Sequence, residues 1–306
     1  MIDTSERPLF GPLRRFAVFA ILLTACFSMP LWELVSFCHN SEFFSYVPLV
    51  PFISGYLLFA DRRTLPRQFN RSPLAAALWG GAGLLTLGLY ALFVFRGGDL
   101  DPSSYLALMT AALECLLLAG AFWFLGKQFL RAAVFPVAFM AFFIPPPLAA
   151  LGPIEAFFQQ FSAWTALGLL KIARVPVSLD VLDLHLPNII LTVAPECSGI
   201  HSTMVLLMVS LLAGHMFLRS KWRRAFLVAF IVPLAIARNG FRIFVLGELC
   251  THLGPQMIDS PIHHHGGPIF FALSLIPFFL LLVFLRKSEL NKAAAATATA
   301  AVSTSI

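Results

Sequence analysis

Charge is what this chain has least of. Asp, Glu, Lys and Arg supply only 12% of its 306 residues, about half the share of an ordinary soluble domain, and so little polar material cannot cover a water-facing exterior. A soluble globular protein is excluded. Cysteine is sparse as well: Cys26, Cys38, Cys115, Cys197 and Cys250 form no C-x-x-C pair, which argues against a zinc module or a thioredoxin-like redox motif. Metal-ligating residues are thinly spread. His263, His264 and His265 are consecutive and point in different directions in an extended loop, with only the isolated His185 and His252 to help them, so neither a metal nor another cofactor is expected. No small-residue cleavage site follows the first apolar run, which is therefore read as a retained helix and not as a cleaved signal.

What the chain does have is hydrocarbon: 59% hydrophobic residues, 32 of them Phe, together with 21 Pro. A spanning helix needs about 20 mostly apolar residues, and eight candidates satisfy that: Phe16 to Phe37, Phe43 to Ala60, Leu74 to Phe95, Tyr105 to Gly126, Ala132 to Leu151, Ile200 to Leu218, Ala225 to Leu249 and Pro268 to Leu285. A ninth piece, Glu155 to Arg174, is ambiguous because it carries Gln159, Gln160, Lys171 and Arg174. Basic residues gather on the cytoplasmic side of membrane proteins. If the ninth piece lies in the interface, sixteen of the 21 Lys and Arg fall on one side and three on the other; if it crosses, the division weakens to eleven against eight. The first arrangement is the better one. It also accounts for the net charge of +6 through loop topology, so no nucleic-acid partner is expected.

The expected architecture is therefore an all-α polytopic membrane bundle of about eight transmembrane helices, with both termini cytoplasmic. An outer interfacial helix and a small extracytoplasmic hairpin about Leu186-Pro187-Asn188 complete it. Residues 1–292 form one membrane domain, and the Ala/Thr/Ser-rich tail 293–306 is expected to be disordered. Cys38 and Cys250 both fall near the outer face, where a disulfide between them is an open option.

Three distant stretches converge on that outer face. Cys197 sits just before the apolar run that begins at Ile200, where a helix N-terminus and nearby cations would favour thiolate; Ser198 and Gly199 favour a sharp entry into the helix and leave room for a substrate carbonyl. Arg242 lies within an apolar helix, where a cation is costly unless it meets water, a partner or a substrate, and Asn239 shares its helical face. His263, His264 and His265 precede the last span and could move a proton near neutral pH. Against these stand blander readings: an inert membrane thiol, and an Arg242 that snorkels to headgroups or joins Arg238 in pairing with Glu248 or Glu114.

These residues resemble the exosortase/archaeosortase family of multi-pass membrane transpeptidases. The likeness rests on Glu196-Cys197-Ser198-Gly199-Ile200, on Asn239 followed by Arg242, and on His263 to Gly267 as His-x-x-x-Gly. Supporting it are the stretches Val47 to Phe59, Phe142 to Pro146 and Val175 to Val177. His201 stands where the family often has Arg or Gln, and a histidine as third partner resembles the bacterial branch. The resemblance implies a cysteine peptidase or transpeptidase of the bacterial inner membrane, with Cys197, Arg242 and His263 catalytic and Asn239, His264, His265, Ser198 and Gly199 supporting or alternative. Its substrates would be exported, membrane-anchored proteins ending in a Pro-Glu-Pro-type motif, a transmembrane helix and a basic end, passed to an acceptor such as a lipid-linked amine among the membrane lipids. The rival reading is a transporter or lipid-handling protein that uses the intramembrane Arg and His groups, although no inverted repeat is visible.

Overall fold

Prolines decide where the apolar runs of the first half break. In a computed structural model that describes residues 10–66, 69–194, 199–260 and 266–304, the chain divides into two compact units, Met1–Leu151 and Gly152–Ile306. The first expected span is a pair, α1 (Phe10–Cys26) and α2 (Ser28–Asn40), bent by 70°. Pro30 is the cause: its ring would clash with the carbonyl of Cys26, four residues back, so the first helix cannot run through. The second expected span opens as two 3-10 turns, Glu42–Phe44 and Val47–Leu49, before the short α3 (Val50–Ala60). Pro48 and Pro51 are tolerated there because each falls in a first turn.

Two uninterrupted helices follow, α4 (Pro73–Phe95) and α5 (Pro102–Phe124). Asp101 starts the second, its carboxylate accepting hydrogen bonds from the Ser104 amide at 3.0 Å and from the Ser103 hydroxyl. Those bonds favour the charged form and hold the carboxyl down at about 2. After α6 (Gly126–Ala132), the fifth expected span, Ala132 to Leu151, is again broken, into α7 (Val134–Phe139) and a 3-10 turn, Met140–Phe143. Pro136 ends α6 by the same four-residue clash, now with Ala132, and Pro145, Pro146 and Pro147 stop the run. The carbonyl of Pro136 receives the buried Ser54 hydroxyl at 2.7 Å, which ties α3 to α7.

In the second unit the ambiguous segment is α8 (Leu148–Ile172), which is not among the helices apolar enough to cross a membrane. Its polar residues have other work: Gln159 donates to the Val193 carbonyl at 2.9 Å and Gln160 to that of Val181 at 3.3 Å. Both bind the helix to an antiparallel meander of β1 (Ser178–Asp180), β2 (Asp183–Leu186) and β3 (Ile189–Thr192). The β2–β3 turn is the expected hairpin; β1 adds a strand the sequence did not signal. Its turn runs through Val181 at φ 53°, a β-branched residue where a turn signal would be Gly or Asn.

The remaining helices are α9 (Ile200–Phe217), α10 (Lys221–Ala229), α11 (Ile231–Leu253) and α12 (Gly267–Thr304). Ala163, Ala166 and Leu170 of α8, Leu184, Leu186 and Leu191 of the sheet, and Ile243, Leu246 and Cys250 of α11 form one buried cluster. Helix α12 runs on to Thr304; alanine is the strongest helix former and extends a helix already begun. Among the described residues five helices are long and apolar enough to span, or six if the bent α1–α2 pair is one span. The result is the expected all-α polytopic bundle, with two of the eight expected spans present as shorter, proline-broken pieces. Among the described residues Cys26, Cys38, Cys115 and Cys250 are free thiols, Cys38 and Cys250 each buried within its own unit.

Candidate active site

Helix α9 begins on a left-handed residue. Gly199 is its N-cap, at φ 70° and ψ 14°, a conformation that costs an L-residue roughly 1–2 kcal/mol and glycine almost nothing. The Gly199 carbonyl is heavily used: it accepts from the Thr203 amide at 3.0 Å, the Thr203 hydroxyl at 2.7 Å and the Ser202 hydroxyl at 3.0 Å. A fourth donor is Nη2 of Arg238, on α11, at 3.0 Å. A methyl group on Gly199 would sit 3.0 Å from that nitrogen and 3.2 Å from Oδ1 of Asn239. The turn is thus fastened to α11 at Arg238 and packed against Asn239.

The two helices meet at a level set by their lengths. Gly199 lies eighteen residues before the end of α9 and Arg238 seventeen after the start of α10, about 26 Å from the α9–α10 turn in each case at 1.5 Å per residue. Asn239 is 3% exposed and Arg238 9%, while Arg242, one turn further along, is half-buried. On the opposite side of α11, Gly240 allows close approach to α8: a Cβ there would lie 2.5 Å from Cβ of Thr165 and 3.1 Å from the Ser162 carbonyl. Asn239 is held in register by its neighbour, because no larger residue fits at position 240.

The N-terminal end of α12 joins the same neighbourhood, with the ring of Phe270 6.1 Å from that of Phe241, edge to face. Gly199, Asn239, Arg242 and the start of α12 therefore belong to one assembly within the second unit. Cys197, Ser198, His263, His264 and His265 lie outside the described residues. Chain connectivity still limits the first of them: two peptide units separate Cys197 from Gly199, so their Cα atoms are at most about 7.6 Å apart.

Arg238 is the residue that the sequence reading passed over as a structural cation. Its partners are the Gly199 carbonyl and, at 3.4 Å, the Thr203 hydroxyl, and not Glu248, which faces His252 at 3.2 Å. A signal was there to be read: an arginine four residues before Arg242 in an apolar helix shares its face and carries the same desolvation cost. Among the described residues no group of three or more His, Cys, Asp or Glu could hold a metal ion.

The family model for transmembrane exosortases matches residues 31–280. The chain belongs to the transmembrane exosortase family. With membership comes a membrane protein of transpeptidase- or protease-like role, which sets the enzyme reading above that of a transporter. The matched residues take in both units and every candidate site residue of this exosortase. Neither a curated protein nor a solved structure matches the chain.

Proposed function

We propose that this exosortase is a membrane-embedded cysteine transpeptidase that cuts the C-terminal sorting signal of exported, membrane-anchored proteins. The single observation that supports it best is the fastening of the Gly199 turn to α11: the residue two positions after Cys197 bonds Arg238 and packs on Asn239, one helical turn from Arg242.

In this reading the Cys197 thiolate attacks the scissile carbonyl, and Arg242 receives the developing oxyanion, a contribution of roughly 3 kcal/mol for one well-placed donor. As the tetrahedral species collapses, the C–N bond breaks and the leaving amine takes a proton from His263, with His264 and His265 as the alternatives. A thioester to Cys197 remains. An amine, such as that of a lipid-linked acceptor, then attacks the thioester, gives its proton back to the histidine and restores the thiolate; water in the same place gives hydrolysis. Burial at the bilayer surface keeps water scarce and lets the amine compete. In this reading the chemistry takes place on the extracytoplasmic face of the bacterial inner membrane, the side that the distribution of Lys and Arg over eight expected spans favours.

The test uses a secreted reporter ending in a Pro-Glu-Pro motif, a transmembrane helix and a basic end, co-expressed with the full-length protein. Wild type should shorten the reporter and yield a thioester to Cys197 on acid quenching, detected by mass spectrometry, while Cys197→Ala should accumulate full-length precursor. Unabated processing by Cys197→Ala would end the proposal.

A further inference from the structure

The first unit holds a carboxylate that its own fold leaves without a cation. Glu33 is half-buried on α2, within an apolar run where a charge is costly unless something answers it. No described Lys, Arg or His forms an ion pair with it. Glu33 lines a cavity of about 370 Å³ between α2 and the start of α5, whose other polar walls are Ser36 and Tyr105 and whose rings are Trp32 and Phe37. The Tyr105 hydroxyl interacts directly with the Glu33 carboxylate.

The position of the cavity along its helices narrows what could enter. Glu33 is seven residues from the end of α2 and Tyr105 three from the start of α5, about 10 Å and about 5 Å of helix. Where such helices end at a bilayer surface, that is within reach of the headgroup layer, several Å thick on each side. Met29, Trp32 and Val35 are exposed on α2. Met29 stands one turn before Glu33 and Trp32 one turn before Ser36, so a strip of hydrocarbon borders the two polar groups. Carboxylate and strip together suit a molecule that is cationic at one end and oily at the other.

The lining also sorts among cations. Among the described residues no group of three or more His, Cys, Asp or Glu could hold a metal ion, and a hard cation needs about six oxygens. A quaternary ammonium has no N–H and would leave the carboxylate and both hydroxyls without a hydrogen bond. A primary ammonium brings three donors and no acceptor. It meets three side chains that carry oxygen, one of them charged, and rings of the kind that attract a cation.

We infer that the α2–α5 cavity is a binding site for a primary ammonium group, held by Glu33 with Ser36 and Tyr105 as further acceptors, and that its natural bearer is the headgroup of an ethanolamine phospholipid. The inference concerns the first unit and does not depend on the transpeptidase reading.

The experiment titrates full-length protein, purified in detergent, with dihexanoyl phosphatidylethanolamine, the matching phosphatidylcholine and free ethanolamine, followed by calorimetry. Phosphatidylethanolamine should bind at least tenfold more tightly than phosphatidylcholine, since its N–H groups make charge-assisted hydrogen bonds that three methyl groups cannot. Glu33→Gln, which keeps the shape of the side chain and removes its charge, should abolish that preference. Should Glu33→Gln fail to fold, Tyr105→Phe decides: it keeps the ring and should cut the preference two- to fivefold. Free ethanolamine bound as tightly as the phospholipid, and lost in Glu33→Gln, would uphold the ammonium site and overturn the lipid as its bearer in favour of a soluble amine. Equal binding of the two phospholipids, a preference that survives Glu33→Gln, or one unchanged in Tyr105→Phe where that variant decides, overturns the site.

Discussion

Helix α4 and the α10–α11 span are both long and apolar enough to cross a membrane, yet they differ in what they face. In α4 only 6% of the most apolar stretch is buried inside the protein, against 39% for the α10–α11 span, and α4 has no charged residue. It is a lipid-facing wall whose other side rests on α5. Helix α11 carries Arg238, Asn239, Gly240 and Arg242 in five consecutive positions, three of them buried. A polar residue in a membrane helix carries a cost of several kcal/mol, so the residues that lower the hydropathy of α11 are the ones on which the proposed chemistry rests.

That contrast breaks most sharply at Arg242. Arg242→Ala should lower reporter processing about 100- to 1,000-fold, the usual loss for one oxyanion donor, with the protein still inserted and extractable; processing within threefold of wild type would remove it from the reaction. Next in size is Gly240→Leu, whose side chain has to displace Thr165 from 2.5 Å. It should cost about 2 kcal/mol of stability, in the range for overpacking, read as a lowered thermal midpoint in detergent. Gly199→Ala should cost about 1 kcal/mol from the left-handed backbone, and because the added methyl meets Arg238 and Asn239, processing should fall by more than that small loss of stability explains.

Smaller again is the cap of α5. The Asp101 carboxyl is depressed to about 2, below its value in the unfolded chain, so its contribution is present in full above about pH 4 and is lost as the pH falls through about 2. The difference in thermal midpoint between wild type and Asp101→Ala should stay constant from neutral pH down to about 4 and close below it. At the lipid-facing extreme, Leu84→Ala on α4, at an exposed position, should change stability by no more than about 0.5 kcal/mol and leave processing untouched. A large loss there would mean that α4 contacts something besides lipid and α5.

The helices that were legible in advance are those with nothing to interrupt them. The expected ranges Leu74 to Phe95 and Ile200 to Leu218 differ from the observed helices by a single residue at one end. The runs that failed as whole spans contain Pro30, Pro48, Pro51 and Pro136, and an apolar count over twenty residues does not weigh a missing N–H. The polar residues of α8 raised the right question about crossing, but their partners, the carbonyls of Val181 and Val193, come from a sheet that forms only once the chain has folded. At the site, Asn239 and Gly199 were singled out from motif spacing and stand in contact. The bond from Arg238 to Gly199 spans 39 residues of sequence, and no local pattern shows which of two neighbouring arginines will make it.

The α10–α11 span counts 33 residues, about 50 Å of helix, where the hydrocarbon of a bilayer is about 30 Å thick. The surplus is sheathed by α8 and the β-meander around Ile243, Leu246 and Cys250. A rod mounted in this way is a depth gauge, its guanidinium groups standing at a fixed height along it from the collar. Tailed proteins would then be sorted by ruler as well as by motif, and lengthening the spacer between motif and anchor by a few residues should spoil a substrate whose recognition sequence is intact.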